Sequence, residues 1–356
     1  MKTTPISVIV LAHDKSSLTR RCLEALLPSR RELEVVLVDN ASTDDTPTLA
    51  REYEAHFAAF RYHRSPRNLS FAVANNGAAR GARGQTLLFL NNDVIVGAGA
   101  VESLVEHART GSPAGAVAGA RLLFPGMETI QHAGMRQMLW GYVSNLGTLA
   151  PRGEPALNRA GEIFAVTGAM LALPRLLFAG IGGFDERYRW GYEDVDLCLK
   201  ARSSGAPVQY VPAAEAVHVE SATLHGVRQP QDLAWNYGLY RRKWNHLLVP
   251  NEQRALSRLQ RQGLRRVVIF GTGLAARGLF RFLHRNGIIV EAFTASAPCL
   301  EAFCGRPVVT LEHVQTRRFD RLAVATQQYH ALRERLAPLD PTGMPLFPTA
   351  EPGDQD

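Results

Sequence analysis

Long hydrophobic runs are absent from this chain of 356 residues. None approaches the ~20 apolar residues that a membrane-spanning helix needs. The opening stretch MKTTPISVIVLAHD also lacks the apolar core and small-residue cleavage site of a signal peptide. We therefore expect a cytoplasmic protein.

Cysteine is scarce as well. Only the last two of the 4 cysteines are close together, at a C-x4-C spacing without a partner pair: Cys22, Cys198, Cys299 and Cys304. Isolated cysteines in a cytoplasmic chain are usually reduced and buried. The pattern therefore predicts neither a structural zinc site nor a disulfide.

Acidic residues are fewer than basic ones, 33 against 40, which leaves a formal net charge of +7. Such an excess favours an anionic partner. We do not expect that partner to be nucleic acid, because the chain has no zinc-finger spacing, no basic helix with heptads and no aromatic RNP-like strand.

The basic excess is concentrated between Arg241 and Arg266, where Glu252 is the only acidic residue. One interpretation is a solvated helix surface. The other is docking to anionic lipid headgroups, where each basic residue adds about 1 kcal/mol. The second interpretation implies peripheral contact with the inner face of the plasma membrane.

The chain is longer than a single hydrophobic core usually supports, so we expect two domains. Between Ile6 and Leu90, buried strand-like runs alternate with amphipathic helical stretches. This alternation predicts an α/β fold, with a mostly parallel sheet flanked by helices and a smaller Rossmann-like α/β domain after it. The predicted boundaries are 1–230 for the first domain, 231–264 for a helical, basic connection, 265–345 for the small domain and 346–356 for a frayed tail.

Polar residues follow three of the predicted strands, and parallel strands present their carboxyl ends at one edge of a sheet. Carboxylates gathered there suit a cation and the polar groups of a nucleotide. For Asp44 or Asp45, capping of a helix is the equal alternative. The three strand ends read Ala12-His13-Asp14, Asp39-Asn40 with Asp44 beyond it, and Asn91-Asn92-Asp93.

The segments VLVDNASTDDT, NLSFAVANNGAARGARG and LFLNNDV resemble the N-terminal half of family 2 glycosyltransferases with the GT-A fold. The resemblance implies that Asp39 binds the uracil or thymine side of a nucleotide. It also implies that Asp93, at the end of a DxD-type motif, holds Mn²⁺ or Mg²⁺ on the diphosphate. Further nucleotide contacts are expected from Ala12, His13, Asp14, Asn40, Asp44, Asn68, Asn76 and Asn92.

The stretch from Thr167 to Thr223 resembles the second half of the same family, with a small-residue strand, a GGFDE turn and an acidic pair. The resemblance implies that Asp194 is the general base, with Glu193 beside it, and that His218 completes the metal site. The alternatives are electrostatic support of a helix N-terminus for the acidic pair and ordinary packing for the histidine. Expected acceptor or sugar contacts are Gly168, Asp185, Trp190 and Tyr192.

The C-terminal stretch begins with a strand and the Gly-rich turn Gly271-Thr272-Gly273. With the segment GRPVVTLEHV, it resembles the small nucleotide-binding domain of sugar acyltransferases. An acidic residue normally follows the second strand to hold a ribose. Here Thr294 and Ser296 lie in that stretch instead. We interpret this domain as one that serves in association, including homo-oligomer formation, rather than one that binds a nucleotide.

Taken together, the resemblance implies an inverting, metal-dependent glycosyltransferase. It would move a sugar from a UDP- or dTDP-sugar to a hydroxyl of a bacterial surface glycan or a lipid-linked precursor. Rhamnosyltransferases are the nearest relatives that the sequence suggests. Two alternatives are a nucleotidyltransferase, which would normally carry a Gly-rich basic loop after the first strand, and a non-catalytic scaffold of a polysaccharide-assembly complex.

Overall fold

A computed structural model describes residues 6–219, 230–297, 299–326, 329–343 and 345–346. The chain divides into two compact units. The first unit comprises Met1–Met135 and Pro151–Tyr240, and the second comprises Arg136–Ala150 and Arg241–Asp356.

The first unit contains most of the strands. They are β1 (Ile6–Ala12), β2 (Leu33–Asp39), β3 (Ala59–Arg64), β4 (Thr86–Asn91), β5 (Val94–Val96), β6 (Val117–Leu123), β7 (Ile130–His132), β10 (Gly161–Glu162), β11 (Met170–Pro174) and β12 (Val208–His218). A separate two-stranded sheet, which belongs to the second unit except for Met135, is formed by β8 (Met135–Gln137) and β9 (Val143–Asn145). The helices are α1 (Ser16–Leu26), α2 (Thr46–Tyr53), α3 (Phe71–Gly81), α4 (Ala100–Arg109), α5 (Arg175–Gly180), α6 (Glu193–Ser203) and the start of α7 (Pro230–Arg261).

The main sheet runs in the order β10-β12-β6-β11-β4-β1-β2-β3, with β5 paired to β12 and β7 to β6. Strand β1 lies parallel to both β2 and β4, and β12 lies parallel to β6. Only β11 runs antiparallel to both of its neighbours in this order. The α/β fold predicted from the alternating pattern is confirmed.

Apolar side chains hold helices on both faces of this sheet. On one face, α1, α2 and α4 bury residues such as Leu23, Leu49 and Leu104 against the β-strands. On the other, Phe89 of β4 packs against Phe178 of α5 at a centroid distance of 5.1 Å. Each such buried side chain contributes roughly 1.5–3 kcal/mol relative to an exposed one.

Strand β12 is long and ends at His218, and a bulge between Val211 and Glu215 shifts its register against β6. The expected helical connection, residues 231–264, is occupied up to Arg261 by one helix, α7, which contains Pro250.

The second unit contains a five-stranded sheet in the order β15-β16-β14-β13-β17. Its elements are β13 (Arg266–Phe270), α8 (Leu274–Arg285), β14 (Ile289–Thr294), β15 (Ala302–Phe303), β16 (Arg306–Val309), β17 (Arg321–Val324) and α9 (Tyr329–Leu336). Leu346, which was expected in a frayed tail, is buried and forms a bridge with Ala323. The rest of the expected tail lies outside the described residues.

The segment Arg136–Ala150 groups with the second unit, although it lies inside the expected first domain. Trp140 joins the apolar cluster formed by α8 and the β13 strand. It does so because residue 278 is glycine: a Cβ there would lie 2.7 Å from Cδ1 of Trp140. The division between the units also falls within α7, so the expected connecting segment is shared between them.

All four cysteines are free, but only Cys22 and Cys198 are buried, whereas Cys299 is exposed and Cys304 is half-buried. Burial raises the pKa of the Cys198 thiol to about 12, with smaller electrostatic contributions. Among the described residues, no helix combines the length and the apolar character needed to cross a membrane.

Candidate nucleotide and metal site

The carboxyl ends of three parallel strands meet at one edge of the main sheet. In the strand register, Ala12 of β1 lies beside Asp39 of β2, and Leu11 lies beside Asn91 of β4. The loops that follow are held in unusual conformations, since Asp14, Lys15 and Ala41 all have positive φ. Such conformations cost of order 1–3 kcal/mol for non-glycine residues and cluster at functional sites.

Asp39 is fully buried at this edge. Its Oδ1 accepts a 2.7 Å hydrogen bond from the Ser42 amide, and its Oδ2 accepts one from the Tyr62 hydroxyl. Burial and this hydrogen bond raise the pKa of Tyr62 to about 12, so the phenol stays protonated and continues to donate. Arg64 adds a charge 3.6 Å from Oδ2 of Asp39 and is itself half exposed. Nucleotide binding by Asp39 stays a prediction.

The loop after β1 is tied to the loop after β2. The Nδ1 atom of His13 lies 2.9 Å from the Asn40 carbonyl oxygen. Asp14 accepts a 2.6 Å hydrogen bond from the Thr43 amide. These contacts bring together two of the predicted nucleotide-binding segments.

Asp44 links the starts of two helices. Its carboxylate accepts hydrogen bonds from the Ser16 amide at 2.6 Å and from the Thr46 amide at 3.1 Å, at the first turns of α1 and α2. Burial disfavours the charged carboxylate, but the hydrogen bonds from Thr46 and Ser16 outweigh it and lower the pKa of Asp44. The capping alternative describes these contacts, and a nucleotide contact by Asp44 stays a prediction.

We expect Asp44→Ala to destabilise the protein by about 1–2 kcal/mol at pH 7, since two helices lose a cap. Because folding lowers the pKa of Asp44, this stabilisation is complete above its unfolded pKa of ~3.9 and is lost as pH falls through the folded value. The deficit of the variant should therefore shrink below about pH 4. Urea unfolding followed by circular dichroism measures it.

The matched control is Asp45→Ala. Asp45 precedes α2 directly, but its side chain makes no cap hydrogen bond. Equal destabilisation by the two substitutions would contradict the capping role of Asp44.

The predicted asparagine contacts all lie near the same edge, and each amide engages the protein. The Asn40 side chain donates to Oδ1 of Asn68 at 2.7 Å and also bonds the Leu69 backbone. Asn76 is buried and holds the GGFDE turn through both backbone groups of Phe184. Asn92 donates to Oγ1 of Thr19 at 2.9 Å. These amides position the loops, and any direct bond from them to a nucleotide stays a prediction.

Asp93 and His218 come together as the sequence predicts. The Nε2 atom of His218 lies 3.2 Å from Oδ1 of Asp93, and both side chains are largely buried. The contact exists because β12 ends at His218 opposite Val94 of β5, directly after Asp93. The Val219 amide also donates to the Asp93 carbonyl at 2.9 Å.

Gln131 of β7 orients the His218 ring from the other side. Its Oε1 lies 2.7 Å from Nδ1 of His218, and its Nε2 donates to the His218 carbonyl at 3.3 Å. The second bond fixes the direction of the amide, so Oε1 accepts the proton of Nδ1. The lone pair of a neutral ring is then on Nε2, facing Asp93.

This pair fits a divalent cation. Oδ1 of Asp93 is buried and receives no hydrogen bond from the residues that the structure describes. A carboxylate oxygen and an imidazole nitrogen 3.2 Å apart have the separation of adjacent ligands of one ion, which is ~3 Å for bonds of ~2.1 Å. No larger group of candidate ligand side chains occurs among the described residues. A bound diphosphate and water would have to complete the coordination, as is usual for Mg²⁺.

Asp194 is the second residue of α6, which starts at Glu193. Its Oδ2 accepts a 3.0 Å hydrogen bond from the Gly168 amide, and its Oδ1 accepts one from the Val195 amide. A carboxylate oxygen has two lone pairs and can therefore accept hydrogen bonds from more than one donor. Glu193 is buried, whereas Asp194 is partly exposed.

A short series of contacts connects Asp194 with the metal pair. Gly168, which bonds Asp194, is followed by Ala169, whose carbonyl accepts a 3.0 Å hydrogen bond from the Asn91 amide. Asn91 stands two residues before Asp93. The predicted base and the predicted metal ligand therefore lie on neighbouring segments of the sheet edge.

The predicted acceptor residues lie around the start of α6. Tyr192 has φ of 71°, and its ring contacts Tyr240 at a centroid distance of 4.9 Å. The Trp190 carbonyl accepts a 2.9 Å hydrogen bond from Asn236 of α7. Asp185 forms a bidentate ion pair with Arg187. Sugar contacts by these residues stay predictions.

The Gly-rich turn of the second unit lacks an acidic partner for a ribose. Gly271 adopts φ of 115° before α8. Thr294, at the end of β14, is buried and donates its hydroxyl to the Val309 carbonyl at 2.8 Å. Nucleotide binding by this unit gains no support from these contacts.

Sequence reasoning did not identify Tyr62, Arg64 and Gln131 as site residues. Tyr62 and Arg64 lie on β3, and only the pairing of β3 with β2 places them beside Asp39. Gln131 lies in a three-residue strand that carries no periodic pattern.

The comparisons with known proteins agree with this geometry. The family model described as glycosyl transferase family 2 matches residues 7–168. A crystal structure of GalNAc-T7 with UDP, GalNAc and Mn²⁺ has a similar fold, with a TM-score of 0.54 at 17% identity, covering 81% of this chain and 55% of that one.

Two bacterial proteins show similarity over the same region. The O-antigen biosynthesis protein RfbC of Myxococcus xanthus is 32% identical over 67% of this chain, which spans only 19% of that protein. The N-acetylglucosaminyl-diphospho-decaprenol L-rhamnosyltransferase of Mycobacterium tuberculosis is 29% identical over 61% of this chain and 76% of its own length. The chain is therefore similar to glycosyl transferase family 2 over residues 7–168, and its fold resembles that of the GT-A glycosyltransferase structure.

Proposed function

We propose that the chain transfers a sugar from a UDP- or dTDP-sugar to a hydroxyl group with inversion at the anomeric carbon. The observation that carries the proposal is the contact between Oδ1 of Asp93 and Nε2 of His218 at the sheet edge. The acceptor we propose is a bacterial surface glycan or its lipid-linked precursor. The names of the two bacterial relatives support that class.

Asp93 and His218 would hold Mn²⁺ or Mg²⁺, and imidazole suits Mn²⁺ somewhat better. The ion would neutralise the charge that develops on the diphosphate leaving group. Asp39, held by Tyr62 and Ser42, accepts from the base, and Arg64 lies beside it as an exposed cation. These residues orient the donor so that its anomeric carbon faces the acceptor.

Asp194 acts as the general base. The acceptor oxygen forms a bond to the anomeric carbon while the bond from that carbon to the diphosphate oxygen breaks. The hydroxyl proton passes to the Asp194 carboxylate, and the Gly168 and Val195 amides keep that carboxylate oriented. One displacement from the face opposite the leaving group inverts the anomeric configuration.

The experiment that tests the function measures release of UDP or dTDP. UDP-glucose, UDP-N-acetylglucosamine and dTDP-rhamnose would each be combined with polyprenyl-diphosphate-linked N-acetylglucosamine, with Mn²⁺ or with EDTA. We expect nucleotide release that requires both metal and acceptor, with an inverted linkage in the product. Release of pyrophosphate from a nucleoside triphosphate would instead favour a nucleotidyltransferase, and no reaction would favour a scaffold.

Gln131 is a positioning residue in this account. We expect Gln131→Leu to weaken Mn²⁺ binding about 10- to 100-fold, because the ring of His218 loses the bond that fixes its orientation. Titration followed by electron paramagnetic resonance measures free Mn²⁺ directly, without turnover. Gln131→Glu, which keeps an acceptor for Nδ1, should retain most of the affinity.

Gln137→Leu is the matched control. Gln137 is also a fully buried glutamine, but it donates to the Leu248 carbonyl in the second unit. Unchanged Mn²⁺ affinity in Gln131→Leu, or an equal loss in Gln137→Leu, would contradict the positioning role.

A further inference from the structure

The second unit presents arginines on the outer faces of two helices. Between Gln253 and Arg285 the sequence contains eight arginines and no acidic residue. Six of these arginines lie on α7 and α8 at spacings of three or four residues, which places each set of three on one face of its helix. We call these six the arginine face: Arg254, Arg258, Arg261, Arg277, Arg281 and Arg285.

Both helices cover the same apolar cluster. Leu256 and Leu259 of α7, and Leu279 and Leu283 of α8, are buried together in it. The arginines stand on the opposite side of each helix, and all are exposed except the half-buried Arg258. The ends of the helices are also connected, since Nε2 of Gln260 donates to the Asn286 carbonyl at 3.4 Å. The arginines of α7 and those of α8 therefore form one arginine face.

After Glu252, the sequence of α7 contains no acidic residue. Glu252, the only acidic residue between Arg241 and Arg266, is buried and forms an ion pair with Arg241. Along the outer side of α7, Asn251, Ser257 and the three α7 arginines line an open groove of about 730 Å³, and none of the described residues that line it is acidic. Phosphate groups are the anions that several guanidinium groups bind best.

Exposed leucines lie on the same two helices as the arginine face. Leu274 opens α8 and is 81% exposed, and Leu247 precedes the α7 arginines and is 38% exposed. Phe280 and Phe282 of α8 instead pack against the apolar cluster. Exposed leucines beside arginines suit a bilayer surface, whereas single-stranded nucleic acid is typically bound by exposed aromatic rings.

We infer that the arginine face docks the second unit on a membrane surface that contains anionic phospholipids. The inference does not depend on the sugar-transfer proposal, because none of these residues belongs to the nucleotide and metal site. Guanidinium groups would bind lipid phosphates, and Leu274 and Leu247 would enter the headgroup layer. The attraction should weaken with salt, because exposed charges are screened within about 8 Å at physiological ionic strength.

Vesicle flotation of the full chain tests the inference. Vesicles of phosphatidylcholine alone would be compared with vesicles containing phosphatidylglycerol, at low and high salt. We expect salt-sensitive binding to the anionic vesicles only. The triple variant R277Q/R281Q/R285Q should bind roughly 100-fold more weakly, at about 1 kcal/mol for each arginine removed. R254Q/R258Q/R261Q should show a similar loss.

The matched control is R21Q/R31Q/R51Q, which removes the same charge from exposed arginines of the first unit. Binding of UDP with Mn²⁺, measured on every variant, separates this test from that of the proposed function. Any of three results would overturn the inference. They are an equal loss of vesicle binding in the control variant, equally strong binding to vesicles of phosphatidylcholine alone, and preferential binding of a single-stranded RNA.

Discussion

Asp194→Asn is expected to lower kcat for sugar transfer by roughly 100- to 10,000-fold, which is the usual contribution of a general base. Asparagine has nearly the same shape as aspartate, but its amide cannot accept the acceptor's proton at neutral pH. Oδ1 and Oδ2 of Asp194 accept from the Val195 and Gly168 amides, so the variant loses about one hydrogen bond, worth roughly 1 kcal/mol. The domain should therefore stay folded.

The measurement compares initial rates of UDP or dTDP release with nucleotide affinity. Affinity for the nucleotide with Mn²⁺ should remain close to that of the wild type, since Asp194 acts on the acceptor. Asp232→Asn is the control, because that carboxylate pairs with Arg189 at 2.8 Å on the surface of the first unit. A wild-type rate in Asp194→Asn would exclude Asp194 as the base.

Trp140→Ala is expected to destabilise the second unit by about 3–5 kcal/mol, as large-to-small changes of buried aromatic residues do. Trp140 is only 8% exposed and packs beside Gly278 in the apolar cluster of α8. Alanine would leave a cavity where the indole now lies. The segment Arg136–Ala150 would lose one of its apolar side chains in this cluster.

Hydrogen exchange of β13 and β14, followed by mass spectrometry in increasing urea, reports on this unit separately from the first. Multi-domain chains often do not unfold in one step, so a local probe is required. Leu274→Ala is the control, because Leu274 is 81% exposed and should change stability by less than about 0.5 kcal/mol. Unchanged protection in Trp140→Ala would contradict the assignment of the segment to this core.

The sequence predicted the edge of the sheet well because its signals are local. Runs such as Ile6–Ala12 and Leu33–Asp39 are almost entirely apolar, which is typical of strands at the centre of a sheet. The polar residues after them must then lie at the carboxyl ends of the strands. The signal for the start of α6 at Glu193 was also local, because an acidic first turn is typical of a helix N-terminus.

What the sequence did not reveal depends on partners far away in the chain. Asn76 reads equally well as a nucleotide contact, and only the fold shows its amide bonded to Phe184. Gln131 and His218 are 87 residues apart and meet through a three-residue strand. The inclusion of Arg136–Ala150 in the second unit rests on Trp140 and Gly278, whose contact no local pattern indicates.

The most direct test of the metal-dependent nucleotide site is calorimetry of UDP and dTDP binding, each with and without Mn²⁺, on the wild type and on Asp93→Ala. Because Oδ1 of Asp93 accepts no hydrogen bond from the described residues, the variant should fold. The account predicts that the wild type binds at least one of the two nucleotides only with Mn²⁺, and that Asp93→Ala loses this binding. Failure of the wild type to bind either nucleotide, or equal binding by the variant, would contradict it.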